Sequence, residues 1–482
     1  MAKKYYLETE EFHTNKSWLV LRCFDPTERK RLMKFMASPY FNQSRTMTKL
    51  CELLLRLIEQ GKPGFDRREI WGKLFPDEGY DDVNFRKYCS DLLKLLEDFM
   101  AQETIAKDES QKAIGTLEFI VSRKVEPLYN SAFRQMRTEM EKRPYRSLDD
   151  YRKQYEIERQ YYLMMDFDQK VNVLTNIELI SSNLDFYYWI EKLKLYIAVL
   201  SHRKTGNFDY NINFVTEIIE YLEKYPIEEI PELAVYYYSF LTLYENEKTE
   251  HYYNLRRLLD KHGALMPKKD AIELYDSALH YCTGKLNQGD RVFLEEYFEV
   301  FEEALSRRIF IVNDELAIWR FNNIVGVALR SGRVDWAETF ILQNRDYIPL
   351  ETRENTYTFN LARVYRFQGK YEQVLELLRN VEYEDIGYNL ISKMMLTITY
   401  YELDTYETLA SFLESFRVFL NRQKNLPQQR RKSYLNLIKF TRRLTRLLPS
   451  DKAAVAKLRD DIVQERASTV NHEWLLEKLD EL

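Results

Sequence analysis

Apolar residues return every three or four positions along almost the whole chain, and polar, glycine or proline breaks separate the runs. That pattern predicts a succession of amphipathic helices. The first helix start is Asp25-Pro26-Thr27-Glu28: a side-chain acceptor, a proline whose missing N–H is not needed in a first turn, and an acid placed to reach back. Leu32, Phe35 and Met36 follow at helical spacing, and Pro39 ends the run within Ser38-Pro39-Tyr40-Phe41-Asn42. A second helix is expected over about Met47 to Ile58, closed by Gly61-Lys62-Pro63-Gly64. Asp66 can cap a short third helix bearing Ile70, Trp71 and Leu74 before Pro76. Asp81 or Asp82 opens a longer fourth through Phe85, Tyr88, Leu92, Leu95, Leu96 and Phe99. The polar stretch from Gln102 to Lys112 reads as a linker. From about Ala113 onward the helical periodicity repeats, with breaks at Arg143-Pro144, Thr205-Gly206-Asn207, Tyr225-Pro226, Gly263, Asn287-Gln288-Gly289-Asp290, Gly332, Pro349, Gly369 and Pro427. Helix hairpins in series produce such a rhythm.

A single turn motif recurs in the C-terminal half. It reads Tyr365-Arg366-Phe367-Gln368-Gly369-Lys370-Tyr371-Glu372-Gln373-Val374 in one copy and Leu329-Arg330-Ser331-Gly332-Arg333-Val334-Asp335-Trp336-Ala337 in another. A third runs from Tyr400 to Leu409 around Asp404, and a looser fourth surrounds Gly289. Gly289, Gly332, Gly369 and Asp404 are 43, 37 and 35 residues apart. A residue tolerant of left-handed geometry is expected to end the first helix of each pair. Two residues later Val334, Tyr371 or Tyr406 would tuck under the turn, while Ala337, Val374 and Leu409 begin the buried face of the second helix. Leu361, Ala362 and Tyr365 supply the first helix's contribution, Ala362 being small enough to let the helices approach. These copies resemble the tetratricopeptide family over about 271–420, whose period is about 34 residues. Over 113–270 only the periodicity carries the resemblance. Val374 and Leu409 stand where the family has a small residue. The helix ending Leu74-Phe75-Pro76, followed by the one from Asp82, resembles the helical part of a winged-helix module of the kind fused to repeats in some bacterial transcriptional activators. Phe24 to Asn42 resembles a family of repeat proteins from Bacteroidota, which brings no function with it. The expected fold is therefore all-α: a helical, winged-helix-like unit over 1–110, degenerate hairpins over 111–270, tetratricopeptide-like repeats over 271–420, and basic capping helices over 421–482. The resemblance implies a right-handed α-solenoid.

Composition narrows the class. Thirteen glycines and twelve prolines in 482 residues leave little turn chemistry for an all-β or Rossmann-type architecture. Tyrosine (36) and phenylalanine (27) are abundant, and tyrosine can pack between helices while its hydroxyl reaches a polar partner. A net charge of −5 argues neither for wholesale nucleic-acid coating nor for a disordered acidic chain. Cys23, Cys51, Cys89 and Cys282 form no CxxC pair and are expected as reduced thiols. The start, Met1-Ala2-Lys3-Lys4-Tyr5-Tyr6-Leu7-Glu8, has no long apolar core, and no apolar stretch reaches about 18 residues, so a cytoplasmic chain without a membrane span is expected.

No catalytic pattern emerges. Gly284-Lys285-Leu286-Asn287-Gln288-Gly289 has the glycine spacing of a phosphate loop, but Asp290-Arg291 stands where Lys-Ser/Thr is needed, so it reads as a hairpin turn. HExxH, GxSxG and GxGxxG are absent. The histidines His13, His202, His251, His262, His280 and His472 are scattered. His280 and Cys282, two apart on a helix, point in different directions, so no metal and no cofactor is expected.

Two surfaces remain as candidates. In helix-pair solenoids the first helices line a concave groove for extended peptides or partner helices. The inward-facing positions of the clearest copies are Trp319, Asn322, Arg330, Phe359, Arg363 and Arg366, of which Arg and Trp offer contact area and directional polar bonds. The alternative for these six is a solvated face or contact with the next helix. The family's clamp for acidic C-terminal peptides uses Lys and Asn where Phe359 and Arg363 stand, which does not support a chaperone-tail function. Secondly, Arg417 to Arg459 holds thirteen bases against Asp451 alone, a local +12. There Lys439, Arg442, Arg443 and Arg446 share one face opposite the stripe Tyr434, Leu437, Ile438, Leu444 and Leu448. That face would suit an anionic partner, or it closes the end of the repeats and pairs with acidic helices. The leading expectation is a non-catalytic scaffold for a protein or peptide partner, with self-association open. The alternative is a nucleic-acid-associated regulator.

Overall fold

The computed structural model describes residues 15–141, 145–166, 174–205, 210–379, 383, 385–448 and 450–482. The segment Met1 to Glu8, His13, Arg143-Pro144 and Gly206-Asn207 lie outside them. About 77% of the described residues are helical, so the chain is all-α. It divides into two compact units, Met1–Tyr188 and Trp189–Leu482.

The first unit carries α1 (Lys16–Cys23), α2 (Pro26–Ala37), α3 (Arg45–Glu59), α4 (Arg67–Leu74), α5 (Asp82–Lys107), α6 (Glu109–Ser122), α7 (Glu126–Glu141) and α8 (Leu148–Met164). Asp25 and Glu28 form a reciprocal capping box at α2, Asp66 caps α4, and Asp81 caps α5 through the backbone N–H groups of Val83 and Asn84. Helix α1 is not among the helices expected from the sequence. Its signals are Asn15, whose side chain accepts from the Trp18 N–H, and the buried pair Trp18 and Leu21 three residues apart. Trp18, Leu50, Leu54, Leu92 and Leu96 are fully buried in one core spanning 18–99. The linker expected from Gln102 to Lys112 is instead helical on both sides of Asp108. That residue ends α5 and caps α6 by accepting from Ser110 and Gln111, and it meets the Lys153 ammonium at 2.8 Å. One short acid serves two helices, which a polar-composition argument cannot see. No strand occurs among the described residues of this unit, and α5 runs on to Lys107 where a wing would start. A second core joins α6, α7 and α8 around Leu117, Tyr129 and Ile157.

Helix α9 (Ile177–Thr205) contains the boundary between the units. The second unit continues with α10 (Val215–Leu222), α11 (Pro231–Tyr244), α12 (Thr249–His262), α13 (Lys268–Asn287) and α14 (Val292–Ser306). After these come α15 (Ile318–Arg330), α16 (Val334–Gln343), α17 (Arg353–Phe367), α18 (Tyr371–Leu378), α19 (Ile386–Glu402) and α20 (Tyr406–Arg422), then α21 (Gln428–Leu444), α22 (Lys452–Gln464) and α23 (His472–Asp480). Each helix from α11 to α21 packs on the next, and α11 also meets α13, α15 meets α17, and α17 meets α19. The one sheet among the described residues is the two-residue hairpin Ile311–Val312 with Glu315–Leu316. Asn313 and Asp314 turn it with φ of 53° and 56°, a tight turn absent from the expected breaks.

The recurrent turn has one geometry. Gly289, Gly332, Gly369 and Asp404 have φ of 93°, 74°, 70° and 55°. In each copy this residue donates its N–H three residues back and the next residue donates five back, as in Gly332 to Leu329 and Arg333 to Ala328. These paired bonds close the helix end by capping two otherwise free carbonyls. Behind the turns Ala337, Val374, Leu409 and Ala362 are almost completely buried, whereas Tyr406 stays 43% exposed. Gly284 to Gly289 is the end of α13 and its turn.

Candidate functional site

Four of the six candidate contact residues come together. Asn322 and Arg330 on α15, with Arg363 and Arg366 on α17, line a cavity of about 320 Å³. Asn323, Gly326 and Leu329 extend the α15 wall, Ile391, Met394 and Met395 of α19 form an apolar wall, and Tyr434 and Val470 close it. The spacing follows from helix geometry: positions 322, 326 and 330, like 363 and 366, lie on single faces because three or four residues make one turn. Phe359 does not present contact area. It is 2% exposed and packed against Tyr383 and Tyr388, so the groove position expected for it belongs to the core. Trp319 is exposed but lies away from the cavity lining, with the Arg320 guanidinium 4.4 Å from its ring centre. The α19 and α21 contributions are invisible in the sequence, because they depend on which helices the packing places opposite α15 and α17.

Arg363 is held by hydrogen bonds and has no carboxylate partner among the described residues. Its Nη1 donates to the backbone carbonyl of Asn322 and to Asn360 Oδ1, both at 2.9 Å. Asn360 is fully buried and donates to Asn322 Oδ1 and to the Thr356 carbonyl, while the Asn322 amide donates to the Tyr388 hydroxyl. Among the described residues the hydrogen-bond partners of the guanidinium are neutral oxygens, and it also lies over the Phe359 ring, 5.7 Å from its centre. A Cβ placed on Gly326 would stand 2.6 Å from Arg363 Nη2, so glycine is what lets the guanidinium lie against α15. Arg366 reaches Asn471 Oδ1 at 3.4 Å, and Arg330 Nε reaches the Gly326 carbonyl at 3.3 Å. Among the described residues no carboxylate comes within ion-pair distance of any of the three. Elsewhere in this unit Arg320 grips Asp276 with two bonds of 2.5 and 2.6 Å and Arg256 meets Glu303 at 2.6 Å, whereas part-buried Arg431 also lacks an acid among the described residues and bonds the Gln423 carbonyl.

The electrostatic consequence is visible. Burial, then the positive charge of Arg330, pushes Arg363 down to about 10, with Arg366 acting in the same direction and Tyr388 opposing it. Burial also lowers Arg366, against the pull of Tyr371, Glu402 and Glu477. Both remain cations at neutral pH.

The basic face of α21 is partly used internally. Arg442 meets Glu414 at 2.7 Å and Arg443 meets Asp461 at 2.5 Å. Lys432 pairs with Glu465, and on α22 Arg459 pairs with Asp480. The acids come from outside the counted segment. Lys439 and Arg446 are exposed, the Lys439 ammonium lying 5.0 Å from the Phe440 ring centre. Cys282 is buried and donates to the Tyr252 hydroxyl, whereas His280 is exposed, so the two do not face one site. Among the described residues no group of three or more His, Cys, Asp or Glu could hold a metal ion, and no helix is long and apolar enough to cross a membrane. Compared with protein-family models, with curated proteins and with solved structures, the chain finds no match.

Proposed function

We propose that this chain is a non-catalytic scaffold that binds a partner protein through the face bearing the Arg330, Arg363 and Arg366 pocket. The carrying observation is three arginines lining one cavity with no ion-pair partner among the described residues, Glu402 and Glu477 acting on Arg366 only from a distance, next to an apolar wall rich in methionine. Clustered like charges oppose folding, and partly desolvated ones do so more strongly, so their counter-ion is best supplied from outside. Methionine adapts to varied surfaces, which suits a contact wall. The tetratricopeptide-like, right-handed solenoid reading of 271–420 belongs to the same proposal. It is supported by the four equivalent turns and by helices that pack in sequence order. A cytoplasmic setting accords with four free thiols, three of them buried.

Affinity purification with the full chain tests this. Arg363→Gln combined with Arg366→Gln should abolish retention of partners that the unaltered chain holds. An unchanged set of retained proteins would refute the pocket as the binding face.

A further inference from the structure

The chemistry of the pocket specifies more than a generic acidic contact. Three guanidinium groups line one cavity, and in Arg363 only Nη1 is hydrogen-bonded among the described residues, leaving Nε and Nη2 without a partner from them. Among the described residues Arg366 and Arg330 make one bond each, long at 3.4 and 3.3 Å, which leaves most of their N–H groups without a partner from them. A carboxylate brings one charge and two oxygens. A phosphate monoester brings nearly two charges at neutral pH and three strong acceptor oxygens, which match a set of planar forks better. A phosphodiester carries a single charge and two free oxygens, so a nucleic-acid backbone satisfies the cluster less well. The cavity of about 320 Å³ accommodates a phosphoryl group with its side chain, and Ile391, Met394 and Met395 offer apolar contact to whatever carries it.

We infer that the pocket receives a phosphate monoester on a serine or threonine side chain of the partner protein. This rests on the scaffold reading above and adds the ligand's chemistry to it. Gly326 is then a positioning residue, since it lets the Arg363 guanidinium lie along α15 while the Asn322 carbonyl of α15 and Asn360 Oδ1 of α17 hold its Nη1.

The test uses the full chain against an array of degenerate peptides centred on phosphoserine or phosphothreonine, beside the same array unphosphorylated and with glutamate at the centre. The phosphorylated arrays should be retained at least tenfold better than either control. Arg363→Gln should erase that preference, and Gly326→Ala should weaken it at least fivefold, because the new methyl displaces the guanidinium without removing a charge. Arg417→Gln, altered at an exposed ion pair with Glu414, should retain it. Circular dichroism establishes that each variant is folded. Equal retention of all three arrays, or a preference unchanged in Arg363→Gln, would overturn the inference. Competition by free O-phosphoserine as effective as the best peptide would also overturn it, assigning the pocket to a small metabolite. A phosphatase arm separates the two claims. If partners lost by the double arginine variant still bind the unaltered chain after phosphatase treatment, the phosphate fails and the scaffold stands. If the partners are never lost, the scaffold reading itself fails.

Discussion

A guanidinium kept partly out of water with neutral oxygens and the Phe359 ring as its partners among the described residues is a poor choice for stability. Arg363→Met keeps most of the volume, removes the unpaired charge and sacrifices bonds to Asn322 and Asn360. Thermal denaturation should find the variant unchanged or more stable by about 1 kcal/mol, as when charged groups give way to apolar ones of similar size. A loss above about 2 kcal/mol would mean that Arg363 is structural. At the recurrent turns the backbone alone decides. A Cβ on Gly332 or Gly369 would meet open space, so Gly332→Ala or Gly369→Ala should cost about 1 kcal/mol through the left-handed conformation itself. The opposite change, Asp404→Gly, should gain up to about 1 kcal/mol, less whatever the exposed bond from the Tyr406 hydroxyl contributes. Destabilisation by Asp404→Gly would show that this bond outweighs the strain. The turn residues are legible in the sequence because glycine's conformational freedom is a property of the residue. Phe359 is not, because whether a phenylalanine on a first helix faces a groove or Tyr383 and Tyr388 depends on a neighbouring helix.

At the scale of elements, capping chemistry locates the starts of α2, α4 and α5, and Asp108 shows where it falls short. A single acid between two helices looks like linker composition until its two N–H donors are seen. Charge along α21 misleads in a similar way. Counting within Arg417 to Arg459 leaves out Glu414, Asp461, Glu465 and Asp480, which packing brings beside it. Hydrogen bonds from Arg417 and then Arg442 hold the Glu414 carboxyl at about 2. A carboxyl with a depressed value stabilises the fold above its ordinary value of 4.5 and loses that contribution as pH falls toward 2. Tm should therefore fall less steeply between pH 4.5 and 2 in Glu414→Gln than in the unaltered chain. Parallel pH profiles would show that the exposed pairs contribute nothing measurable.

For the molecule as a whole, helical periodicity and scarce glycine and proline specify an all-α chain, because period and backbone propensity are local. Circular dichroism should report helix for roughly three quarters of the residues. The pocket needs more than periodicity: α15 and α17 can be read as presenting Asn322, Arg330, Arg363 and Arg366, but α19, Tyr434 and Val470 enter only through packing between helices far apart in sequence. With Arg442 and Arg443 engaged by acids, generic duplex DNA should bind weakly even at low salt, and tight salt-dependent binding would favour phosphate contacts along α21. The pocket itself is best tested by methyl NMR of the full chain with its methionines labelled, titrated with the phosphopeptide that the array retains best. The Met394 and Met395 resonances should shift in the unaltered chain and stay still in Arg363→Gln. Shifts confined to methionines outside the pocket, or identical shifts in both proteins, would contradict an arginine-lined binding site.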